Sequence, residues 1–390
     1  MIGPVSAYLD LFSGAATRKA YHIGIARFLT FLDGHPCRSA APVPHSDEVL
    51  AAMDARAEAY FREVNADARA PATDMVHFLA AMQRDFAPST VAVSRSAVLG
   101  FLEENGIELS RQDERRIKKR VPRIRNVAEE ETLTRDALQA ILPLLSIRDR
   151  AVLLVLLASG GRIGEVLQLR LQDVDLEAAP VRVTFRAATT KTGVRRIAFL
   201  TDEAAEAVRV WLGGRSDYLR TAARRNVGLT SAGRSRPKAY DDERLFPFKR
   251  SSFDLAWGRA LERAGLFRRC EVTGRLTLHP HSLRKCFRSW LGAAAGPDIA
   301  EVLMGHEGYL GTYRRYTEED LAEAYVKHSH VLCVASGSGE LARQVADLQE
   351  KNDTLEAELR DIRLDLYEVR EWREWRAKTR AASTSTESKP

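Results

Sequence analysis

The chain has 390 residues, of which 45% are hydrophobic and 29% charged, and its formal net charge is +6. This length is enough for two domains with extensions, and the basic balance permits a polyanionic partner without requiring one. No apolar run approaches the roughly 18 residues of a membrane span and no secretory leader is recognisable, which argues against membrane and secreted proteins and predicts a cytoplasmic one. The cysteines lack a metal-ligand spacing, so we expect buried thiols with no disulfide and no zinc site.

The first part of the chain has the periodicity of helices. Apolar residues recur at helical spacing in the segments 5–33, 48–64, 73–85 and 88–105. No segment there alternates as a strand does. We therefore predict an all-helical N-terminal domain over residues 1–114.

A basic segment, residues 115–130, is predicted to link this domain to the next. Its first part, RRIKKRVPRIR, has no acidic residue, and Pro122 disfavours a continuous helix. The run is either a solvated connection or a strap along DNA phosphates, and we favour the strap because it falls between two domains. The candidate DNA-backbone contacts are Arg115, Arg116, Lys118, Lys119, Arg120, Arg123 and Arg125.

A second domain, which mixes helices with a small sheet, is predicted over residues 131–335. An apolar helix over 149–160 must be buried, and strand signals over 181–187 and 195–200 predict a β-hairpin. Residues 213–238, rich in Gly, Ser and Arg, predict a mobile basic loop.

A further helix over 251–266 is predicted to bury Phe253, Leu255, Trp257 and Leu261 in this domain. The predicted fold class is therefore mostly α with a small β-hairpin, an α+β domain following a helical one.

Arg162 and Glu165 stand three residues apart just after the apolar helix. They form either a structural ion pair or a device in which Glu165 holds the guanidinium rigid, so that its outer face can meet a phosphate. Taken alone, the two residues do not decide between these alternatives.

A second group of polar residues lies within 277–317. His281 and Arg284 share one face of a short helix, which ends at Gly296-Pro297, and Gly305-His306 and a tyrosine cluster follow. Histidines, an arginine and a tyrosine are what phosphoryl transfer to a protein hydroxyl requires. A forked guanidinium suits the negative charge that develops on the phosphate oxygens.

Three motifs in this group resemble the H-x-x-R, L-G-H and R-Y-T boxes of the tyrosine recombinases, the phage-integrase family: His281-Ser-Leu-Arg284, Met304-Gly305-His306 and Arg315-Tyr316-Thr317. Gly161-Arg162-Ile163-Gly164-Glu165 is similar to the family's first arginine box. The resemblance implies a core-binding domain and a catalytic domain that close as a C-shaped clamp on double-stranded DNA. It implies a site-specific recombinase that integrates or excises a mobile element or resolves replicons.

The resemblance also implies a role for each matched residue. Tyr316 is the nucleophile that becomes joined to a 3′ DNA end, and Arg162 and Arg284 stabilise the phosphate. Lys191, at the tip of the hairpin, protonates the leaving oxygen. The remaining implied members are His281 for the tyrosine proton, His306 for a hydrogen bond to the phosphate and Glu165 in support. Neither metal nor nucleotide is needed; a tetramer acts on two duplexes, and accessory DNA-bending proteins are possible partners.

Alternatives stay open for the nucleophile and for the activity. Tyr313 competes with Tyr316, which we favour because it matches the R-Y-T box. A type IB topoisomerase would use similar chemistry as a monomer. A non-catalytic architectural protein would bind DNA and need none of the six catalytic positions.

The C-terminal part predicts a coiled coil over residues 340–372. Apolar residues between 341 and 369 alternate steps of four and three, with Asn352 in the same seam. Charges that would face each other across the seam are opposite in sign, which favours parallel pairing of two protomers. The alternative is an amphipathic helix folded back on its own domain.

The segments on either side of this coiled coil carry expectations of their own. The helix over 320–334 is predicted to pack on a neighbouring surface, which in the family often belongs to the next protomer. Residues 373–390 are predicted to be disordered.

Overall fold

The computed structural model describes residues 2–40, 47–120, 130–231, 241–271, 273–305 and 316–335, and positions 355, 359 and 362. The predictions for Arg123, Arg125, His306 and Tyr313, and for most of the coiled coil and all of the C-terminal tail, lie outside these residues. The chain divides into two compact units, Met1–Ala128 and Glu129–Pro390. Within the described part of the chain, no helix combines the length and apolar character that crossing a membrane requires.

The first unit is helical, as the sequence predicts. Its helices are α1 (Pro4–Asp10), α2 (Ala15–Leu32), α3 (Asp47–Asn65), α4 (Pro71–Asp85), α5 (Pro88–Glu104) and α6 (Arg111–Lys119). Three of them begin at a proline, whose fixed φ suits a first helical position and whose missing N–H costs nothing there. The segment predicted as one helix, 5–33, is two: the chain leaves the helix after α1 and restarts beyond Gly14, whose backbone is extended.

Helix α6 takes up the first part of the segment predicted as a basic linker. Ser110 caps the helix by accepting a hydrogen bond from the Asp113 N–H, and Ile117 is fully buried in the core of the first unit. The basic side chains on either side of Ile117 therefore project from a folded helix and are exposed. Residues 121–129 lie outside the described residues.

The second unit surrounds the apolar helix with other helices and a small sheet. Its elements are α7 (Arg135–Ile141), α8 (Ile147–Ser159), α9 (Ile163–Val166), β1 (Val174–Asp175), β2 (Arg182–Phe185), β3 (Arg196–Phe199), α10 (Asp202–Ser231), α11 (Arg250–Arg263), α12 (His281–Ala295), α13 (Pro297–Met304) and α14 (Glu318–His328). The strands pair antiparallel in the order β1-β2-β3, which confirms the predicted hairpin. Helix α8 is buried along most of its length.

Helix α10 corrects the prediction of a mobile loop over 213–238. It continues through Gly213 and Gly214, although each glycine costs about 1 kcal/mol of helix propensity relative to alanine. Tertiary contacts offset this cost: the Trp211 indole donates to the Leu245 carbonyl at 2.9 Å, and the Arg215 guanidinium donates to the Arg244 carbonyl at 3.1 Å. Residues 232–238 of the predicted loop lie outside the described residues.

Helix α11 confirms the predicted burial of Phe253, Trp257 and Leu261. Leu255 was predicted to be buried with them, and that prediction is wrong, because its side chain is 56% exposed. It lies two residues from both Phe253 and Trp257, on the opposite side of a helix with 3.6 residues per turn.

Helix α14 and the turn after it pack on their own unit. The Tyr325 hydroxyl donates to the Ala158 carbonyl at the end of α8 at 2.8 Å, and the ring is buried. The N–H of Val334 donates to Glu203 at 2.7 Å, and Gln139 donates to the Val334 carbonyl at 2.8 Å. The neighbouring surface predicted for this segment is therefore one of the same chain.

Candidate functional site

Arg162 is positioned by the turn between α8 and α9. Gly160 ends α8 in the left-handed region at φ 59°, where a Cβ would also lie 2.5 Å from the Phe287 ring. Arg162 then caps α9, and Glu165 one turn later accepts its backbone N–H at 3.1 Å and its guanidinium at 2.8 Å. The Glu165 side chain is 4% exposed and that of Arg162 29% exposed, so the carboxylate is buried while the guanidinium reaches the surface.

Arg284 lies in the first turn of α12 and is buried, at 3% exposure. Its guanidinium donates to the carbonyl of Gly160 and, at 2.9 Å, to the carbonyl of Met304. It thereby joins the end of α8 to the end of α13. Burial, followed by the positive charges of Arg162 and Arg196, lowers the pKa of Arg284 to about 10, which still leaves it protonated at neutral pH.

His281 is the first residue of α12, one turn before Arg284. Burial lowers its pKa below the ordinary 6.5, and the charges of His279, Arg284 and Arg162 lower it further. The imidazole is therefore neutral at neutral pH and can accept a proton. The ring of His279 stacks on it with centroids 6.1 Å apart. The structure thus brings Arg162, Glu165, His281 and Arg284 together.

Tyr316 directly precedes α14, and its side chain is exposed. The backbone that follows it is firmly held. Thr317 and Asp320 form a capping box, with the Thr317 N–H donating to the Asp320 carboxylate at 2.8 Å and the Asp320 N–H donating to the Thr317 hydroxyl at 3.1 Å. Arg182 of β2 donates to Glu318 at 2.8 Å, which ties the start of α14 to the sheet.

Lys191 lies in the turn between β2 and β3 and is exposed. The turn is closed by Thr190, whose hydroxyl donates to the carbonyls of Ala187 and Val194 at 3.0 and 2.9 Å. Among the described residues, no hydrogen bond or ion pair joins Lys191 to the arginine cluster. The structure therefore confirms the hairpin position of Lys191 but does not bring it together with the other site residues.

Arg196 was not among the predicted site residues, although it contacts the cluster directly. It is the first residue of β3 and donates to Glu165 at 2.7 Å from a buried position. The only sequence signal for it is strand alternation, which places Arg196 and Ala198 on the inward side. Nothing in the sequence alone distinguishes it from the exposed Arg195 beside it.

A second cluster that the sequence did not predict lies beside His281. Glu130, the first described residue of the second unit, reaches His279 at 3.5 Å and forms an ion pair with Lys285. Burial lowers the pKa of His279, so its imidazole is neutral at neutral pH. The Glu130 carboxylate therefore attracts it only weakly.

Comparison with known proteins gives concordant matches. The family model described as the phage integrase family matches residues 129–323. Tyrosine recombinase XerC of Roseiflexus castenholzii is 27% identical over 329 residues, which are 81% of this chain and 87% of that relative. Tyrosine recombinase XerC of Alcanivorax borkumensis is 32% identical over 186 residues, 46% of this chain and 52% of that relative. Among solved structures, XerH site-specific recombinase bound to difH substrate matches with a TM-score of 0.45 at 17% identity, covering 83% of this chain and 96% of that one.

Proposed function

Because the chain belongs to the phage integrase family of tyrosine recombinases, we propose that it cleaves and rejoins double-stranded DNA at specific sites through a 3′-phosphotyrosine intermediate. The observation that carries this proposal is the cluster of Arg162, Glu165, His281 and Arg284, in which two fixed guanidiniums lie beside a neutral imidazole. Such a cluster is preorganised for a phosphodiester in displacement, whose non-bridging oxygens gain negative charge.

In the proposed reaction, the Tyr316 oxygen forms a bond to phosphorus while the bond from phosphorus to the 5′ oxygen breaks. His281 accepts the tyrosine proton, which its lowered pKa permits at neutral pH. Lys191 supplies a proton to the leaving 5′ oxygen once DNA brings the exposed turn to it. One phosphodiester replaces another, so attack by a 5′ hydroxyl on the phosphotyrosine reverses the step and rejoins a strand.

The two arginines have different surroundings and therefore different proposed tasks. Arg162 is partly exposed and is steered by Glu165, so it meets the phosphate from the surface of the unit. Arg284 is buried and is held by two carbonyls, so its charge acts from beneath the phosphate without having to reorganise. His306, which lies outside the described residues, is proposed to hydrogen-bond the same phosphate.

Double-stranded DNA is the proposed partner, and the protein is proposed to act in the cytoplasm as a tetramer on two duplexes. Support for DNA binding comes from α6, where exposed basic side chains surround the buried Ile117. These are Arg115, Arg116, Lys118, Lys119 and Arg120, and none forms an ion pair with another described residue. Counterions released from such contacts would make DNA binding strongly dependent on salt.

The test of this function is covalent capture. A duplex nicked close to the scissile phosphate, drawn from DNA that flanks the gene, is mixed with the protein in a chelating buffer. Loss of the short fragment traps the intermediate, so we expect a protein–DNA adduct that survives denaturation. Tight binding to the same duplex without any adduct would contradict the recombinase and favour an architectural protein.

We expect the cleavage rate to fall on the acid side only at a pH below 6.5. Burial and neighbouring positive charge disfavour the imidazolium of His281, so its proton-accepting form persists as pH falls through 6.5 and is lost at the lowered pKa. Single-turnover adduct formation measured from pH 8 to pH 5 checks this. His281→Gln should be slow and lack this acid limb, and His279→Gln should retain it. A wild-type acid limb above pH 6.5 would contradict the assignment.

We also propose that residues 341–369 pair two protomers as a parallel coiled coil. The positions described there, Leu355, Leu359 and Ile362, are helical seam positions whose side chains are 56%, 53% and 54% exposed. Apolar side chains so exposed at this spacing suit a helix partner. Without DNA, sedimentation should give a dimer for the full chain and a monomer for a variant ending at residue 339. Equal association states for the two would exclude this pairing.

A further inference from the structure

Arg196 occupies a position that few charged residues take. Its side chain is 7% exposed, and its guanidinium carbon lies 3.9 Å from the centroid of the Phe185 ring, which is its register partner across the hairpin. A guanidinium over a buried ring gains cation–π attraction and is held in one plane. This placement aims the Nη2 group at the Glu165 carboxylate, 2.7 Å away.

Glu165 is consequently shared between two arginines. One of its oxygens accepts from the Arg162 guanidinium, and the other accepts from Arg196 and from the backbone N–H of Arg162. With both oxygens engaged from different directions, the carboxylate cannot rotate. The orientation of the Arg162 guanidinium is thereby fixed through Glu165 by a residue on a different element.

The other side of Arg196 packs against Gly305. This glycine ends α13 in the left-handed region at φ 70°, and a Cβ there would lie 2.5 Å from the Arg196 Cδ and 3.0 Å from its Nε. Gly305 stands between Met304, whose carbonyl accepts from Arg284, and His306 in the chain. The Nε and Nη1 atoms of Arg196 are buried and have no hydrogen-bond partner within the described residues.

We propose that Arg196 is a positioning residue for DNA cleavage, one that couples the Arg162–Glu165 pair to the Gly305 end of α13. Through Glu165 it orients Arg162, and through its aliphatic stem it supports Gly305, next to the Met304 carbonyl that accepts from Arg284. This inference rests on the proposed function. If Arg196 had only a structural role, replacing it would change the stability of the second unit and leave the cleavage rate unchanged.

The test compares three variants with the wild-type full-length protein. Arg196→Met keeps the length of the side chain and removes its charge and hydrogen bond. Arg196→Lys keeps the charge but loses the planar guanidinium, which donates to Glu165 while it lies over the Phe185 ring. Arg195→Met is the matched control, because it makes the same change at the adjacent, exposed position. For each, we measure the melting temperature, DNA affinity and the single-turnover rate of adduct formation at saturating protein, well below the melting temperature.

For Arg196→Met we expect a rate about 10–100-fold lower, as is usual when the support of a site residue is removed, with DNA affinity retained. Arg196→Lys should fall between this variant and the wild type, and Arg195→Met should match the wild type. In the Glu165→Gln background, adding Arg196→Met should cause little further loss, because both changes break the same link.

Three results would overturn the proposal. A wild-type rate in a folded Arg196→Met variant would leave Arg196 with a role in stability alone. Losses from Glu165→Gln and Arg196→Met that multiply would show that Arg196 does not act through Glu165. An effect confined to DNA affinity would make it a binding residue. Absence of an adduct from the wild-type protein would instead contradict the proposed function, so the two failures are distinguishable.

Discussion

Replacement of Tyr316 by phenylalanine is expected to abolish the covalent protein–DNA adduct, with the cleavage rate reduced by roughly four to six orders of magnitude. The substitution deletes only the hydroxyl that attacks phosphorus and keeps the ring. DNA binding should therefore be retained. Tyr313→Phe, the same change three residues earlier, is the matched control and should form the adduct at the wild-type rate.

Tyr316, the proposed nucleophile, is held on its C-terminal side. It stands at the point where the capping box of Thr317 and Asp320 and the Arg182–Glu318 ion pair fix the start of α14. Helix α14 in turn is anchored to the end of α8 through the buried Tyr325. A nucleophile must approach in line with the bond that breaks. A fixed backbone on one side of it reduces the conformational entropy that is lost in reaching this position.

The measurement is capture of the adduct on the nicked duplex, followed by proteolysis and mapping of the tyrosine that carries the nucleotide. Adduct formation by Tyr316→Phe together with its loss in Tyr313→Phe would move the nucleophile to Tyr313. If neither variant forms the adduct, and the wild-type adduct carries the nucleotide on Tyr316, then Tyr313 supports the attack by packing.

Local sequence patterns predicted the elements that carry the site. The i,i+3 spacing of His281 and Arg284 requires only one helical turn, and the Arg162–Glu165 spacing requires only a helix start, so short-range geometry was sufficient. The hairpin around Lys191 followed from strand alternation on both sides of a glycine-containing turn. In each case, the residues that decide the structure are neighbours in the chain.

The predictions failed where distant contacts decide the structure. The Gly, Ser and Arg content of residues 213–238 suggested a loop, but hydrogen bonds from Trp211 and Arg215 to the segment near residue 245 hold the helix. The first part of the predicted basic linker is instead helix α6, whose Ile117 is buried in the core of the first unit. Arg196 meets Glu165 across 31 residues of sequence, and only the β2–β3 register and the Phe185 ring place it there.

The electrostatics of the site follow from the same long-range contacts. Three guanidiniums, those of Arg162, Arg196 and Arg284, lie around the Glu165 carboxylate, and two of the three are buried. Burial lowers the pKa of Arg196 and of Arg284 to about 10, which records the cost of holding these charges away from water. Contact with a phosphate would offset this positive charge, as the proposed reaction requires.

Arg284→Lys is expected to lower the rate of adduct formation by about 10²–10³-fold, the usual effect of losing one preorganised donor for transition-state charge. The Arg284 guanidinium bridges the carbonyls of Gly160 and Met304 from a buried position, and one ammonium cannot make both bonds in the same directions. The lysine charge would remain while its placement changed. DNA affinity should change little, because many other phosphate contacts supply it.

Arg288→Lys is the matched control for this change. Arg288 lies one turn further along α12, its side chain is 59% exposed, and it forms an ion pair with Glu301 at the surface. Exposed pairs of this kind contribute little, so this variant should cleave at the wild-type rate. Single-turnover rates and DNA affinities for both variants decide the matter. If Arg284→Lys cleaves as fast as the wild type, a point charge is sufficient beneath the phosphate, and the bridging of the two carbonyls serves the fold alone.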